Sequence, residues 1–202
     1  MSNDDRVRWD AKYRQTQHRE PACPLVSSGG SGRPPSSFTA YIDHFPQAGA
    51  ALDIACGTGE HSLWLADRGM VVQGVDVSPV AIDTASGAAE RAGLQDVASF
   101  AIHDLDEGLP EGEPVDLVLC HLFREPALYP KLVERLAPRG ILAIAVLSEV
   151  GSQGGRFRAL AGELHTAFIE PAENDALVPL AADEADGIAL LIAQRQAGLG
   201  GK

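Results

Sequence analysis

Side chains able to hold or transform a ligand cluster at four places where an apolar run gives way to a turn. The first is residues 53–60 (DIACGTGE), where Asp53 precedes a small-residue stretch holding Gly57 and Gly59. Small residues let a backbone approach a ligand closely, and the free amides opening the next helix favour an anionic group. Asp53 reads as part of this site, or as holding the loop through its backbone amides. The second is Asp76 in residues 74–78 (GVDVS). A carboxylate there accepts from both hydroxyls of a ribose, or else caps a helix start. The third is His103, Asp104 and Leu105, where the acid suits an adenine amino group or a turn in an acidic loop. The fourth is residues 120–124 (CHLFR), where Cys120, His121 and Arg124 bring a thiol, an imidazole and a guanidinium together. His121 reads as a general base, as a substrate contact or as a structural histidine. Arg124 reads as the holder of an anionic substrate.

The elements around these residues follow from hydrophobic pattern. Apolar runs bounded by turn residues at 50–54, 71–75, 97–102, 115–120 and 140–147 predict strands, and the patterns at 60–68, 79–92 and 126–137 predict helices. Ser78 as N-cap and Pro79 at the first helical position open the second of these helices. Pro138, Arg139 and Gly140 stop the third. Strands apolar on both faces that alternate with helices imply a parallel sheet covered on both sides. A further helix is expected at 159–169. A closing antiparallel hairpin is expected from 177–180 and 188–195, joined by the acidic turn ADEADG. The fold class expected is therefore α/β, a doubly wound, mostly parallel seven-stranded sheet with a C-terminal antiparallel hairpin. Ahead of it, Trp9 and Tyr13 lie four apart, the spacing of one helix face. Residues 21–37, dense in Pro, Gly and Ser, read as a mobile loop, and residues 38–45 as a short helix ending before Pro46. The division expected is an N-terminal extension, 1–45, and a main domain, 46–202.

Composition excludes several classes. A 202-residue chain with 45% hydrophobic residues can bury one sizeable core. Its net charge of -12 argues against sequence-blind binding to nucleic acid or anionic lipid, both of which need basic surface. The longest apolar run, 141–147, is far short of a membrane helix, and the polar start carries no visible secretory signal. Cys23, Cys56 and Cys120 show no Cys-x-x-Cys spacing, which argues against a disulfide framework or a zinc site and fits a reducing cytoplasm. No metal site is expected, and oligomeric state is not legible.

The run ALDIACGTGEHSLWLADRGMVVQGVDVSPVAI (51–82), together with residues 97–147, resembles the class I S-adenosylmethionine-dependent methyltransferases. Those enzymes carry an Asp-x-Gly-x-Gly-x-Gly loop and an acid after the second strand. Within them, Trp9-Asp10-x-x-Tyr13 and LWLADRGMVVQGVDVS look like the tellurite-resistance and thiopurine methyltransferase-like branch. The first glycine of the family loop is Ala55 here, a departure at a position of close backbone approach. The resemblance implies that Gly57 and Gly59, with Ala55 and Cys56, cradle the methionine part of S-adenosylmethionine. It implies that Asp76, with Val77 beside it, holds the ribose, while Asp104 and the Leu105 amide meet the adenine. Cys120 would lie beside the cofactor and Tyr13 would fold over it as part of a lid.

Two other readings use the same residues. A nicotinamide dehydrogenase would explain an acid nineteen residues after Gly57. Its Gly-x-Gly-x-x-Gly fingerprint, however, meets Ser62 at the third position, and Tyr129 and Lys131 do not form a Tyr-x-x-x-Lys pair. A non-catalytic S-adenosylmethionine binder would share the whole constellation. Methyl transfer from a sulfonium is an in-line displacement, so alignment supplies much of the catalysis. A small soft nucleophile, a thiol or chalcogen oxyanion, needs no base; an alcohol or amine needs one, and His121 would supply it.

Overall fold

The structure, a computed structural model, describes residues 3–17, 32–155, 157–170 and 177–197. Cys23, most of the Pro/Gly/Ser-rich segment and Arg156 lie outside the described residues. Among those described, seven strands form one sheet in the order β3-β2-β1-β4-β5-β7-β6. These are β1 (Ala50–Ile54), β2 (Val71–Asp76), β3 (Ala98–Ile102), β4 (Val115–His121), β5 (Leu136–Leu147), β6 (Leu177–Ala185) and β7 (Ile188–Arg195). The first five pair in parallel; β7 runs antiparallel to β5 and β6. The chain reverses its direction of travel across the sheet between β1 and β4, the switch point at which such sheets bind ligands.

Six helical pieces position the site. They are α1 (Asn3–Gln17), a 3-10 turn (Ser36–His44), α2 (Glu60–Asp67), α3 (Pro79–Ala92), α4 (Tyr129–Arg135) and α5 (Glu163–Phe168). Strand side chains alternate in direction, so each central strand feeds two cores. In β4, Leu117 and Leu119 join Phe38, Phe45, Leu63 and Leu65, while Val118 and Cys120 join Leu132, Leu164 and Phe168. The helices therefore cover both faces, as the doubly wound pattern predicts. The Ser78 hydroxyl accepts from the Ala81 amide at 3.3 Å, with Pro79 opening α3. Helix α1 lies against α3.

Several boundaries differ from the pattern. The helix expected to reach residue 137 ends at Arg135, because Leu136 already pairs with Val115 before the ladder slips to Leu117 and Ile141. The slip is a bulge in which Arg139 takes φ 68. The helix expected at 159–169 shortens to α5. Residues 182–185, read as part of the acidic turn, continue β6, and the reversal is made by Asp186 and Gly187, both at positive φ. Finally, Ser36 and Ser37, read as the end of a loop, open the 3-10 turn. Pro35 leads directly into the 3-10 turn, and Phe38 is fully buried in the sheet core.

Candidate active site

Strand β1 ends in a turn that keeps the backbone bare. The Cys56 amide donates to the Val75 carbonyl, and the Gly57 amide donates to Asp76 Oδ2 at 3.0 Å. The other Asp76 oxygen accepts from the Ser78 amide at 2.9 Å. Burial raises the Asp76 pKa, against the lowering effect of amides from Ser78, Gly57 and Val77. Each Asp76 oxygen still has acceptor capacity left, since a carboxylate offers about four lone-pair sites. Gly57 and Gly59 sit at φ 55 and 79, where side chains are strained. A Cβ on Gly57 would lie 3.0 Å from the Tyr13 hydroxyl, and one on Gly59 2.8 Å from Ala85 Cβ. Gly57 thus keeps a cradle beneath Tyr13 that a side chain would fill, while Gly59 lets the turn pack closely on α3 and β3.

The same turn contains Ala55 at φ 54, and β4 is followed by Leu122 at φ 58. Both line a cavity of about 170 Å³ with Trp9, Tyr13, Asp76, His121 and Phe123. Backbone strain of this kind concentrates at functional sites, because the surrounding structure must hold it. The cavity lies at the switch point, between the ends of β1, β2 and β4. Its volume is below the roughly 300–1,000 Å³ usual for small-molecule sites, and Trp9 and Tyr13 from α1 supply part of its wall. Burial, then Asp76 and Cys56, push the Tyr13 hydroxyl pKa up, so it stays a neutral donor.

Parity decides what His121 meets. It shares its side of β4 with Leu117 and Leu119, hence the side covered by α2 and the 3-10 turn. There His61, in the first turn of α2, approaches it with Nε2 3.2 Å from His121 Nδ1, and the Ser37 hydroxyl lies 3.2 Å from His121 Nε2. Burial, then the neighbouring His61, lower the His121 pKa to about 4. His61 and Ser37 were not among the residues singled out from sequence. The signal available for His61 was its place in the first turn after the glycine loop, over the end of β4; Ser37 had none.

Other candidates take different places. Asp53 is buried and accepts from the Ser62 hydroxyl at 2.6 Å, so it ties β1 to α2, with burial raising its pKa. Cys120 faces the opposite core and donates to the Phe123 carbonyl; burial raises the pKa of its thiol and of Cys56's, so neither is a thiolate near neutral pH. Asp104 accepts from the Asp106 amide and caps a short 3-10 turn at the end of β3, with Leu105 buried beneath it and Val77 buried beside Asp76. Arg124 donates from Nε and Nη2 to Glu163, at 2.7 and 2.6 Å, so this edge of its guanidinium is paired with a carboxylate rather than open to an anionic substrate. Glu163 also accepts from the Tyr129 hydroxyl at 3.0 Å.

The residues present fit an adenosyl sulfonium: a buried carboxylate at the end of β2 and a bare glycine turn at the end of β1. Residues 51–140 match the family described as "Methyltransferase domain". A curated relative from Mycobacteroides abscessus, "2-heptyl-1-hydroxyquinolin-4(1H)-one methyltransferase", is 35% identical over 74 residues, covering 37% of this chain and 32% of its own. The chain spans about a third or less of the length of the curated relatives it matches. TehB from Haemophilus influenzae shares the fold with a TM-score of 0.67 at 18% identity, over 79% of this chain and 62% of that one. The [4+2]-cyclase SpnF does so with a TM-score of 0.63 at 19% identity, over 75% and 76%. Over residues 51–140 the chain is thus similar to methyltransferase domains, and its seven-stranded sheet has the fold of the class I methyltransferases.

Proposed function

We propose that the protein transfers a methyl group from S-adenosylmethionine, held along Ala55 and Asp76, to a small-molecule acceptor bound on the His121 side of the same cavity. The observation that carries this reading is the Gly57 amide bound to Asp76 at the switch point, which couples the glycine turn to a ribose-holding carboxylate. Ala55, Cys56, Gly57 and Gly59 hold the methionine part, Asp76 and Val77 the ribose, and Asp104 and Leu105 the adenine. Asp53 and Cys120 support the turn and strand from behind. When bound, the cofactor supplies an electrophilic methyl on sulfur. The chain's own residues orient the acceptor, exclude water and manage its proton.

The N-terminal extension acts as the lid in this reading. Asp10 of α1 accepts from the Ser78 hydroxyl at the start of α3, and Tyr13 lies over Gly57. Because Phe38 and Phe45 belong to the main core, the lid among the described residues of 1–45 is α1. Cys56 and Cys120 are unpaired, in keeping with a reducing cytoplasm. Among the described residues no helix is long and apolar enough to cross a membrane.

The M. abscessus relative is named for a hydroxylated ring acceptor, which favours an oxygen nucleophile here as well. A thiol or chalcogen oxyanion, the acceptor suggested by the tellurite-resistance resemblance, would meet an Arg124 whose Nε–Nη2 edge is already paired with Glu163. The SpnF likeness keeps a non-methylating use of the fold in view, so the test starts from the cofactor. Titration calorimetry should show S-adenosylmethionine binding that weakens at least about tenfold in Asp76→Ala, the loss of two charge-assisted hydrogen bonds. Unchanged binding in that variant would falsify the site.

A further inference from the structure

The His61–His121 contact belongs to a longer chain of hydrogen bonds whose direction is fixed at one end. His61 Nδ1 lies 3.1 Å from the carbonyl oxygen of Arg33. A carbonyl only accepts, so His61 Nδ1 carries a proton and its Nε2 offers a lone pair. His121 Nδ1–H then donates to that lone pair, leaving His121 Nε2 as an acceptor for the Ser37 hydroxyl. The rings stand edge to face, with centroids 4.8 Å apart at 84°, and Phe38 packs on His121 from the 3-10 turn. His121 thus has one tautomer and one orientation set by its neighbours, as a base oriented by a third group requires. It lines the cavity beside Trp9, Tyr13, Leu122 and Phe123, and the lining includes a carboxylate but no lysine or arginine. The aromatic and apolar surface of Trp9, Leu122 and Phe123 in that wall accommodates a flat ring.

We propose that His61 and His121 work as a pair, with tautomers set from the Arg33 carbonyl, to bind and deprotonate a neutral aromatic hydroxyl as the methyl acceptor. The proposal rests on the methyltransferase reading above. His121 is the catalytic residue and His61 the positioning residue. The acceptor hydroxyl takes the place of the Ser37 hydroxyl as donor to Nε2. As the acceptor oxygen takes the methyl, the electron pair of its O–H bond stays on oxygen and the proton passes to Nε2, then to water. The sulfonium leaves as a neutral thioether. Burial keeps His121 neutral and its lone pair available well below pH 7.

Nitrogen-15 NMR of histidine-labelled protein reads the tautomers directly. Both rings should be protonated at Nδ1. His61→Gln, whose amide oxygen replaces the lost lone pair, should keep His121 in that form, and His61→Leu should release it. A wild-type His121 protonated at Nε2, or no change in His61→Leu, overturns the pairing. Acceptor class is tested by calorimetry with 2-naphthol and with 2-naphthalenethiol in the presence of S-adenosylhomocysteine. 2-Naphthol should bind and shift the His121 Nε2 resonance. That binding should weaken about fivefold or more in His61→Leu but not in His61→Gln, the worth of one hydrogen bond. No 2-naphthol binding, thiol binding with the same dependence on His61, or equal loss in both variants overturns it. Failure of S-adenosylhomocysteine itself to bind counts against the methyltransferase reading instead, so the two failures are distinguishable.

Discussion

Among residues, Ala55 and Leu122 carry the clearest mark of function. Both hold positive φ without being glycine, and both face one cavity. Ala55 was legible in the sequence as a departure from a glycine position. That the backbone nonetheless keeps the left-handed conformation is visible only in three dimensions. An alanine there costs about 1–2 kcal/mol, partly offset because glycine gains chain entropy when unfolded. Ala55→Gly should therefore stabilise the protein by about 0.5–1 kcal/mol in urea unfolding. His121 makes a second residue-level prediction. Its folded pKa of about 4 lies below the usual 6.5, so the unfolded state binds its proton first as pH falls. Its contribution to stability is present above about pH 6.5 and declines toward pH 4, by up to about 3 kcal/mol. Asp53 is shifted up by burial and opposes this trend, so the readout is the difference between wild type and His121→Gln across that window.

At the level of elements, the sequence pattern located every strand of the parallel core but misjudged ends. The start of β5 is set by pairing of Leu136 with Val115, twenty-one positions away, and no local propensity encodes that. Likewise β6 runs on through an acidic stretch because β7 supplies a partner for each residue there. Arg124 shows the same effect on a side chain. Its neighbours at the end of β4 suggested a substrate contact, but α5 folds back to present Glu163. The pair is partly buried, with side chains 24% and 15% exposed, and joins the end of β4 to α5. Burial alone would raise the Glu163 pKa, but Arg124 and Tyr129 hold it below the usual value. Its share of stability is thus present above the ordinary glutamate range and lost as pH falls through the lowered pKa. Glu163→Gln should cost about 1–3 kcal/mol in chemical denaturation and leave S-adenosylmethionine affinity within about twofold.

For the whole molecule, the cavity is small because α1 closes it. None of the described side chains of α1 is among the fully buried core residues, yet Trp9 and Tyr13 wall the site. Tyr13→Ala should therefore speed S-adenosylmethionine dissociation about tenfold or more in stopped-flow displacement, while the melting temperature moves by less than about 3 °C. The net charge of -12 is also used unevenly: Asp53 and Asp76 sit around the proposed sulfonium site, where negative potential favours a cationic ligand.

Sequence alone determined the alternation of strands and helices, the glycine turn at 55–59 and the acid at the end of β2. Each of these is local: periodicity, turn chemistry and spacing act over a few residues. Tertiary structure alone decided that His61, Ser37 and the Arg33 carbonyl converge on His121, and that Arg124 is spent on Glu163. Those contacts depend on which strands are neighbours and which face a side chain takes. His121 meets α2 because β4 lies beside β1, and Cys120, one residue earlier, points into the other core. A one-residue parity, invisible until the register is known, separates the candidate base from a buried thiol.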